Sequence, residues 1–242
     1  ASYPCVQKLR FGGYDGRGVQ VLRDAREERL PGESYFEELV DISRELAVLV
    51  ARRPSGQSVA YPVTEMEFDA RANICSRVIM PARVDPEVAH RARAVASEAV
   101  EQLGAVGIVA VELFWTTGGE ILVNEIAPRP HNSGHVTIDA CETNQFEQHI
   151  RAICDIPLGV TTVRQPAVML NLLGAPGADG TPDWATTLSH LAGEHLHLHW
   201  YNKSRVRPFR KMGHVTVTAE CVDDAIRRAD SIGDLWIKGE GQ

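Results

Sequence analysis

The chain has 242 residues, 44% of them hydrophobic and 24% charged, enough to bury a core as one large domain or two small ones. A net charge of −7 without a basic tract argues against nucleic acid, and no run reaches the roughly 18 apolar residues of a membrane span. Five dispersed cysteines (Cys5, Cys75, Cys141, Cys154, Cys221), with no CxxC pair, read as reduced thiols of a cytoplasmic protein, not a disulfide framework or a zinc site.

Short strands are expected at about 4–9, 18–22, 35–40, 45–52 and 57–67. Between the first two lies Gly12-Gly13-Tyr14-Asp15-Gly16-Arg17-Gly18, just after Lys8. Four glycines allow positive φ and close approach to a ligand, and Lys8 and Arg17 flank them with positive charge. The spacing fits neither a Walker A loop nor a dinucleotide fingerprint, so a phosphate cradle and a glycine-rich hairpin turn both stand.

A helix is expected over 86–103, with Asp85 as cap, Pro86 in the first turn and Gly104 closing it. Val88, Ala92, Val95, Ala99 and Leu103 form its apolar stripe. Ile108–Trp115 and Glu120–Glu125 read as two strands joined around Thr116-Thr117-Gly118-Gly119. A two-residue Gly118-Gly119 loop puts Glu112 directly opposite Glu125, about 5 Å apart at Cβ. Like charges so placed need a proton or a cation, and carboxylates alone favour Mg²⁺ or Mn²⁺. Two solvated glutamates on an exposed hairpin are the plain alternative.

The loop that follows, Ile126-Ala-Pro-Arg129-Pro-His131-Asn132-Ser-Gly134-His135, is poor core material and suits a small anion, with Arg129 as a bidentate fork. Its plain alternative is a structural loop whose arginine pairs with a carboxylate. A second helix over 145–154 begins at Asn144 with Glu147 in capping-box spacing, and is expected to bury Phe146, Ile150 and Ile153. Beyond a boundary near 160, strands are expected at about 167–172, 195–201 and 213–218, and a helix at 222–230. His195, His197 and His199 alternate along one strand face, either plain surface or a metal site. Lys203, Arg205, Arg207, Arg210 and Lys211 form a basic cluster, either solvated or phosphate-binding.

Together, Lys8 with the glycine-rich loop, Glu37-Glu38-Leu-Val40 with Glu45, the Glu112/Glu125 pair and Asn124-Glu-Ile-Ala-Pro-Arg-Pro-His-Asn-Ser-Gly-His135 resemble the ATP-grasp enzymes. Within them the chain resembles the N5-carboxyaminoimidazole ribonucleotide synthases, which also carry the His-Trp-Tyr201 and Arg-Lys211-Met-Gly-His214 motifs. The resemblance implies an α+β ATP-grasp fold: a lid over 1–36, a catalytic subdomain over 37–160 and a β-rich carboxy-terminal domain over 161–242. It implies ATP-dependent carboxylation of 5-aminoimidazole ribonucleotide with bicarbonate, through carboxyphosphate, in purine synthesis. By the same resemblance Lys8, Gly13, Asp15, Gly16 and Gly18 hold the nucleotide phosphates, Glu37, Glu38 and Val40 line the adenine, and Glu45 holds the ribose. Glu112 and Glu125 bind Mg²⁺, with Mn²⁺ a substitute. Arg129, His131 and Asn132 receive bicarbonate, Tyr14 and Arg17 close over the reacting groups, and Lys203, Arg210 and Lys211 reach the ribonucleotide phosphate.

The family also carries an amino-terminal, Rossmann-like domain that this sequence lacks, so a fragment of a cytoplasmic homodimer is expected. The partners implied are small molecules, with no nucleic acid and no membrane. Another ATP-grasp ligase, or a nucleotide-binding module without turnover, is the alternative.

Overall fold

Runs of β-branched and aliphatic residues decide the architecture. The structure is a computed structural model that describes residues 2–13, 18–69, 71–189, 191 and 195–240. Strands β1 (Cys5–Leu9), β2 (Val19–Leu22) and β3 (Ser34–Glu38) form a small antiparallel sheet in the order β2-β1-β3. Next come β4 (Ile42–Arg52), β5 (Ser58–Ala60), β6 (Thr64–Asp69), β7 (Ile74–Met80), helix α1 (Pro86–Gln102), β8 (Gly107–Thr116) and β9 (Ile121–Ala127). A 3₁₀ turn over Asn132–Gly134 leads into helices α2 (Thr137–Ala140) and α3 (Gln145–Ile153). The remainder is β10 (Ala167–Gly174), β11 (Thr181–Pro182), α4 (Trp184–Ser189), β12 (Leu196–Trp200), β13 (Lys211–Thr218), α5 (Val222–Ile232), β14 (Trp236–Ile237) and β15 (Gly239–Glu240).

One ten-stranded sheet runs β12-β13-β10-β7-β6-β4-β8-β9, with β5 added to β4 and β14 to β10; β11 pairs with β15 apart from it. Central β4 and β8 pair along ten positions, and Leu46 to Ala51 are wholly buried, as expected of a strand covered on both faces. On one face α1 packs Val88, Ala92, Ala96 and Val100 against Val48, Val50, Val109 and Val111. The other face carries Leu49, Tyr61, Val136 and Met169, and α5 closes a third cluster around Leu172 and Val215. Cys5, Cys75 and Cys141 are buried, and Cys154 and Cys221 exposed. Among the described residues no helix is long and apolar enough to cross a membrane.

Several expectations need correction. The 57–67 run is two strands, because Tyr61 to Val63 leaves the ladder at Pro62, which has no N–H to donate. Strand β7 was not anticipated. The stripe of α1 advances four residues at a time through Ala96 and Val100, leaving Leu103 61% exposed, and Asp85 makes no side-chain cap bond. In α3 the inward face is Gln145, Gln148 and Ala152, while Phe146, Ile150 and Ile153 are exposed. His195 lies outside β12 with φ 66°, so only His197 and His199 share that strand face.

An ionic chain centred on buried Glu65 ties β4, β6 and β7. Glu65, 2% exposed, accepts from Arg44 and from Arg83 (Nη2 at 2.6 Å, backbone N at 3.1 Å); Arg83 also reaches Glu67, and Arg77 joins Glu67 to Asp230. Burial pushes the Glu65 carboxyl up, but the Arg83 hydrogen bonds outweigh it and hold it below the usual range. Its stabilisation is therefore present above the unfolded-state value and is lost as pH falls. Glu65→Gln strands two arginines, each about one-third exposed, so it should lower unfolding free energy by about 2–3 kcal/mol, below the figure for a fully buried pair. Urea midpoints at neutral pH check this, and the difference between wild type and variant should shrink on acidification.

Candidate functional site

The β8–β9 hairpin sets the site. Thr116 N–H donates to the Glu120 carbonyl (3.0 Å) and Glu120 N–H to Thr116 Oγ1 (3.0 Å), so the loop is Thr117-Gly118-Gly119, three residues and not the expected two. Gly119 takes φ 86°, which a side chain would strain. That extra loop residue shifts the first pairs to Trp115↔Ile121, Phe114↔Leu122 and Leu113↔Val123. A bulge at Asn124 then restores the register, and Glu112 stands opposite Glu125. The two departures cancel.

The bulge also aims Asn124 out of the ladder. Lys8 Nζ, reaching across from β1, donates to Asn124 Oδ1 at 2.9 Å and pairs with Glu37 Oε2 at 2.6 Å. Glu112 is 8% exposed while Glu125 is open to solvent, and His131 Nδ1 lies 3.6 Å from Glu112 Oε1. One donor atom each from Glu112, Glu125 and His131 fall within 4.8 Å of one another. Two carboxylates facing across a strand pair repel unless a cation or proton lies between them, and this oxygen-rich set fits Mg²⁺ or Mn²⁺.

The loop after β9 is held by amides. Buried Gln145 accepts from His131 N–H (2.9 Å), donates to the His131 carbonyl (2.9 Å), and meets His135 Nδ1 at 2.8 Å. A Cβ on Gly134 would come within 2.4 Å of Gln145 Oε1 and of Leu49, so only glycine fits there. Asn132 and Asn171 exchange reciprocal amide bonds (2.9 and 2.8 Å), and Asn171 also donates to the Cys75 carbonyl. This explains the polar inner face of α3: its glutamines satisfy loop backbone, and His149 Nδ1 accepts from Ile108 N–H at 3.1 Å.

Around these groups lies a cleft of about 730 Å³ between the small sheet and the large one. Val6, Val21, Val40, Met66, Phe68, Phe114 and Leu122 form apolar walls, with Glu37, Glu38 and Glu45 along one side. Gly13, Glu112, Glu125, Arg129, His131, Asn132 and Lys211 face the same space. Lys203 donates to the Lys211 carbonyl and sits over the Tyr201 ring, 5.4 Å from its centroid. Arg210 is not among the lining residues; its Nη1 donates to the Arg205 carbonyl, while Arg205 pairs with Asp179. The Gly18 carbonyl accepts from Leu9 N–H. Tyr14, Asp15, Gly16 and Arg17 lie outside the described residues. Sequence reasoning missed Asn124, Gln145 and Asn171 as site-builders, and missed Met66 and Phe68 as walls. Only Asn124, inside the quoted motif, carried a signal.

The ATP-grasp domain family matches residues 1–146, and the phosphoribosylaminoimidazole carboxylase C-terminal domain matches residues 167–228. The chain belongs to the ATP-grasp family and carries the phosphoribosylaminoimidazole carboxylase C-terminal domain behind it. Its fold is accordingly an ATP-grasp α+β fold, mostly sheet, with that carboxy-terminal domain. The N5-carboxyaminoimidazole ribonucleotide synthase of Synechococcus elongatus is 41% identical over 223 residues, 89% of this chain and 55% of the relative. The N5-carboxyaminoimidazole ribonucleotide synthetase structure from Thermotoga maritima superposes with a TM-score of 0.87 at 46% identity, covering 99% of this chain and 64% of that one. The Aspergillus clavatus structure in complex with ADP and 5-aminoimidazole ribonucleotide matches with a TM-score of 0.83 at 32% identity, covering 96% and 62%. The chain thus spans about half the length of the curated relatives it matches.

Glu45 gives this cleft a pH signature. Burial raises its carboxyl from 4.5 to about 7. With the folded value above the unfolded one, its contribution is fully present below pH 4.5 and is lost as pH rises through 7. Glu45→Gln should therefore gain about 1–2 kcal/mol over wild type between pH 5 and 8, a figure reduced for partial solvent access. Denaturant midpoints at the two pH values, without nucleotide, check it.

Proposed function

We propose that this chain carries the nucleotide, metal and bicarbonate sites of an ATP-dependent carbon–nitrogen ligase that carboxylates 5-aminoimidazole ribonucleotide to N5-carboxyaminoimidazole ribonucleotide. The observation that carries this reading is the pairing of Glu112 with Glu125 in one cleft that Lys8, Asn124, Arg129 and His131 also line. Support also comes from the names of the relatives and from the ADP and 5-aminoimidazole ribonucleotide bound to the Aspergillus clavatus protein.

In this reading the apolar walls, with Glu37, Glu38 and Val40, take the adenine, and Glu45 hydrogen-bonds the ribose. Lys8, helped by Gly13, Asp15, Gly16 and Gly18, draws the phosphates toward the hairpin. Glu112 and Glu125 would hold Mg²⁺, which when bound neutralises phosphate charge. Arg129, His131 and Asn132 orient bicarbonate so that its oxygen attacks the γ-phosphorus and ADP leaves, giving carboxyphosphate. The Gln145 and Asn171 bonds hold His131 and Asn132 in place, so positioning those two costs no reorganisation during the reaction. Tyr14 and Arg17 close over the site. Lys203, Arg210 and Lys211 bind the ribonucleotide phosphate, whose amine takes the carboxyl group and releases phosphate.

The segments 1–36, 37–160 and 161–242 serve as lid, catalytic subdomain and carboxy-terminal domain. Strands β1 to β3 pair in a sheet of their own, which runs two residues past the first seam to Glu38, and the β7–β10 ladder crosses the second. The whole protein acts as a homodimer on small molecules in the cytoplasm.

The test is Mg-ATP turnover with bicarbonate, with and without 5-aminoimidazole ribonucleotide, on this chain and on one joined to the amino-terminal domain the family resemblance implies. In the joined protein, Arg129→Ala should cut bicarbonate-dependent turnover on the order of 100-fold and leave nucleotide affinity within a few-fold. Lost ATP affinity with an intact bicarbonate response would place Arg129 at the nucleotide instead.

A further inference from the structure

A second cluster of metal-ligating groups lies outside the carboxylate pair. His199 on β12 and His214 on β13 are direct cross-strand partners, their rings stacked 4.5 Å apart at 16°. Asp139 on α2 meets them: its Oδ2 lies 2.9 Å from His199 Nε2, and its Oδ1 lies 3.8 Å from His197 Nδ1. One ring nitrogen of each of His199 and His214 and one Asp139 oxygen fall within 4.8 Å of one another. Thus the alternating histidines of β12 do converge on something, but with Asp139 and His214, not with His195.

The decisive observation is His214. Its residue is 1% exposed, its Nδ1 is 2.8 Å from the Tyr201 hydroxyl, and its Nε2 is buried with no hydrogen-bond partner. Leaving a buried polar atom unpaired costs about 1–3 kcal/mol, so such an atom calls for an explanation. In the tautomer that carries its proton on Nδ1 and donates it to the Tyr201 oxygen, His214 presents a bare Nε2 lone pair. That is how metal-bound histidines are oriented by a neighbouring group.

We infer that Asp139, His199 and His214 form a binding site for one divalent transition-metal ion of the zinc class, distinct from the Glu112/Glu125 pair. Two imidazoles and one carboxylate suit Zn²⁺, Co²⁺ or Ni²⁺ and disfavour Mg²⁺. Ligand atoms around zinc stand about 3.3 Å apart, given bonds near 2.0–2.1 Å, so the set closes by at most about 1.5 Å on binding. His199 moves its proton to Nδ1, Asp139 exchanges its hydrogen bond for a metal bond, and water or His197 completes the shell. The ion would pin β12 and β13 to α2, the helix that follows the Asn132–Gly134 turn.

The test is a Co²⁺ titration of the chelator-stripped protein in excess Mg²⁺, read by visible d–d absorption, followed by Zn²⁺ displacement. One equivalent should bind, and Zn²⁺ should raise the melting temperature in step with its concentration. Asp139→Asn and His199→Gln are used because both side chains reach solvent (10% and 29% exposed) and their variants should fold. Each should weaken binding at least about 10-fold, and Tyr201→Phe, which removes only the orienting partner, about as much. Glu125→Gln should leave this affinity unchanged. No absorption change in excess Mg²⁺, or titrations unaltered by Asp139→Asn and His199→Gln, overturns the assignment. So does loss of binding confined to Glu125→Gln.

Discussion

Two carboxylates of like charge stand face to face across β8 and β9, and much of the molecule arranges itself around that repulsion. The sheet holds them there through backbone pairing that neither glutamate controls. A three-residue loop and a one-residue bulge fix the register, and the strand below is anchored by β4 along ten positions. Since a one-residue slip sends every side chain of a strand to the opposite face, the bulge at Asn124 is a structural requirement of the pair. It also frees Asn124 to receive Lys8, so the small sheet is tethered to the same irregularity.

A second constraint is the backbone of the loop after β9. Buried peptide groups need partners, and this loop goes under the surface at Ser133 and Gly134. Gln145 supplies them at His131, its amide offering a donor and an acceptor at once, while Asn132 and Asn171 lock side chain to side chain and Gln148 does the same service for Gly159. Hence a helix beside the site shows glutamine inward and isoleucine outward. Hydrophobic periodicity alone reads it the wrong way round.

The sequence carried the hairpin well, because a glycine pair between two alternating runs is a local signal. The pairing of Glu112 with Glu125 emerges although the turn was misjudged, since the error in the loop and the unseen bulge offset one another. Helix α1 was legible in its ends and off by a residue in its buried stripe, where Ala96 and Val100 pack in place of Ala99 and Leu103. Of the cleft walls only the Glu37–Val40 stretch was legible, through the family motif. Met66 and Phe68 come from β6, and Cys75 from β7, strands whose place in the sheet depends on distant pairing with β4 and β10. Asn171 lies inside an apolar strand, and nothing local marks it as the partner of Asn132. The motifs of the loop and the glycine-rich segment pointed to the family; the side chains that orient them are spread along the chain.

The way α3 is docked has a mechanical consequence. Apolar contacts tolerate sliding, because dispersion and burial change slowly with position. Hydrogen bonds weaken steeply as their angles fall away from linear. A helix joined to the loop through Gln145, to Gly159 through Gln148 and to β8 through His149 therefore behaves as a jig with little play, and any tilt of α3 is passed directly to His131. The same linkage makes the loop vulnerable to solutes that compete for amide hydrogen bonds. Urea should loosen this corner ahead of the apolar layers on either side of β4.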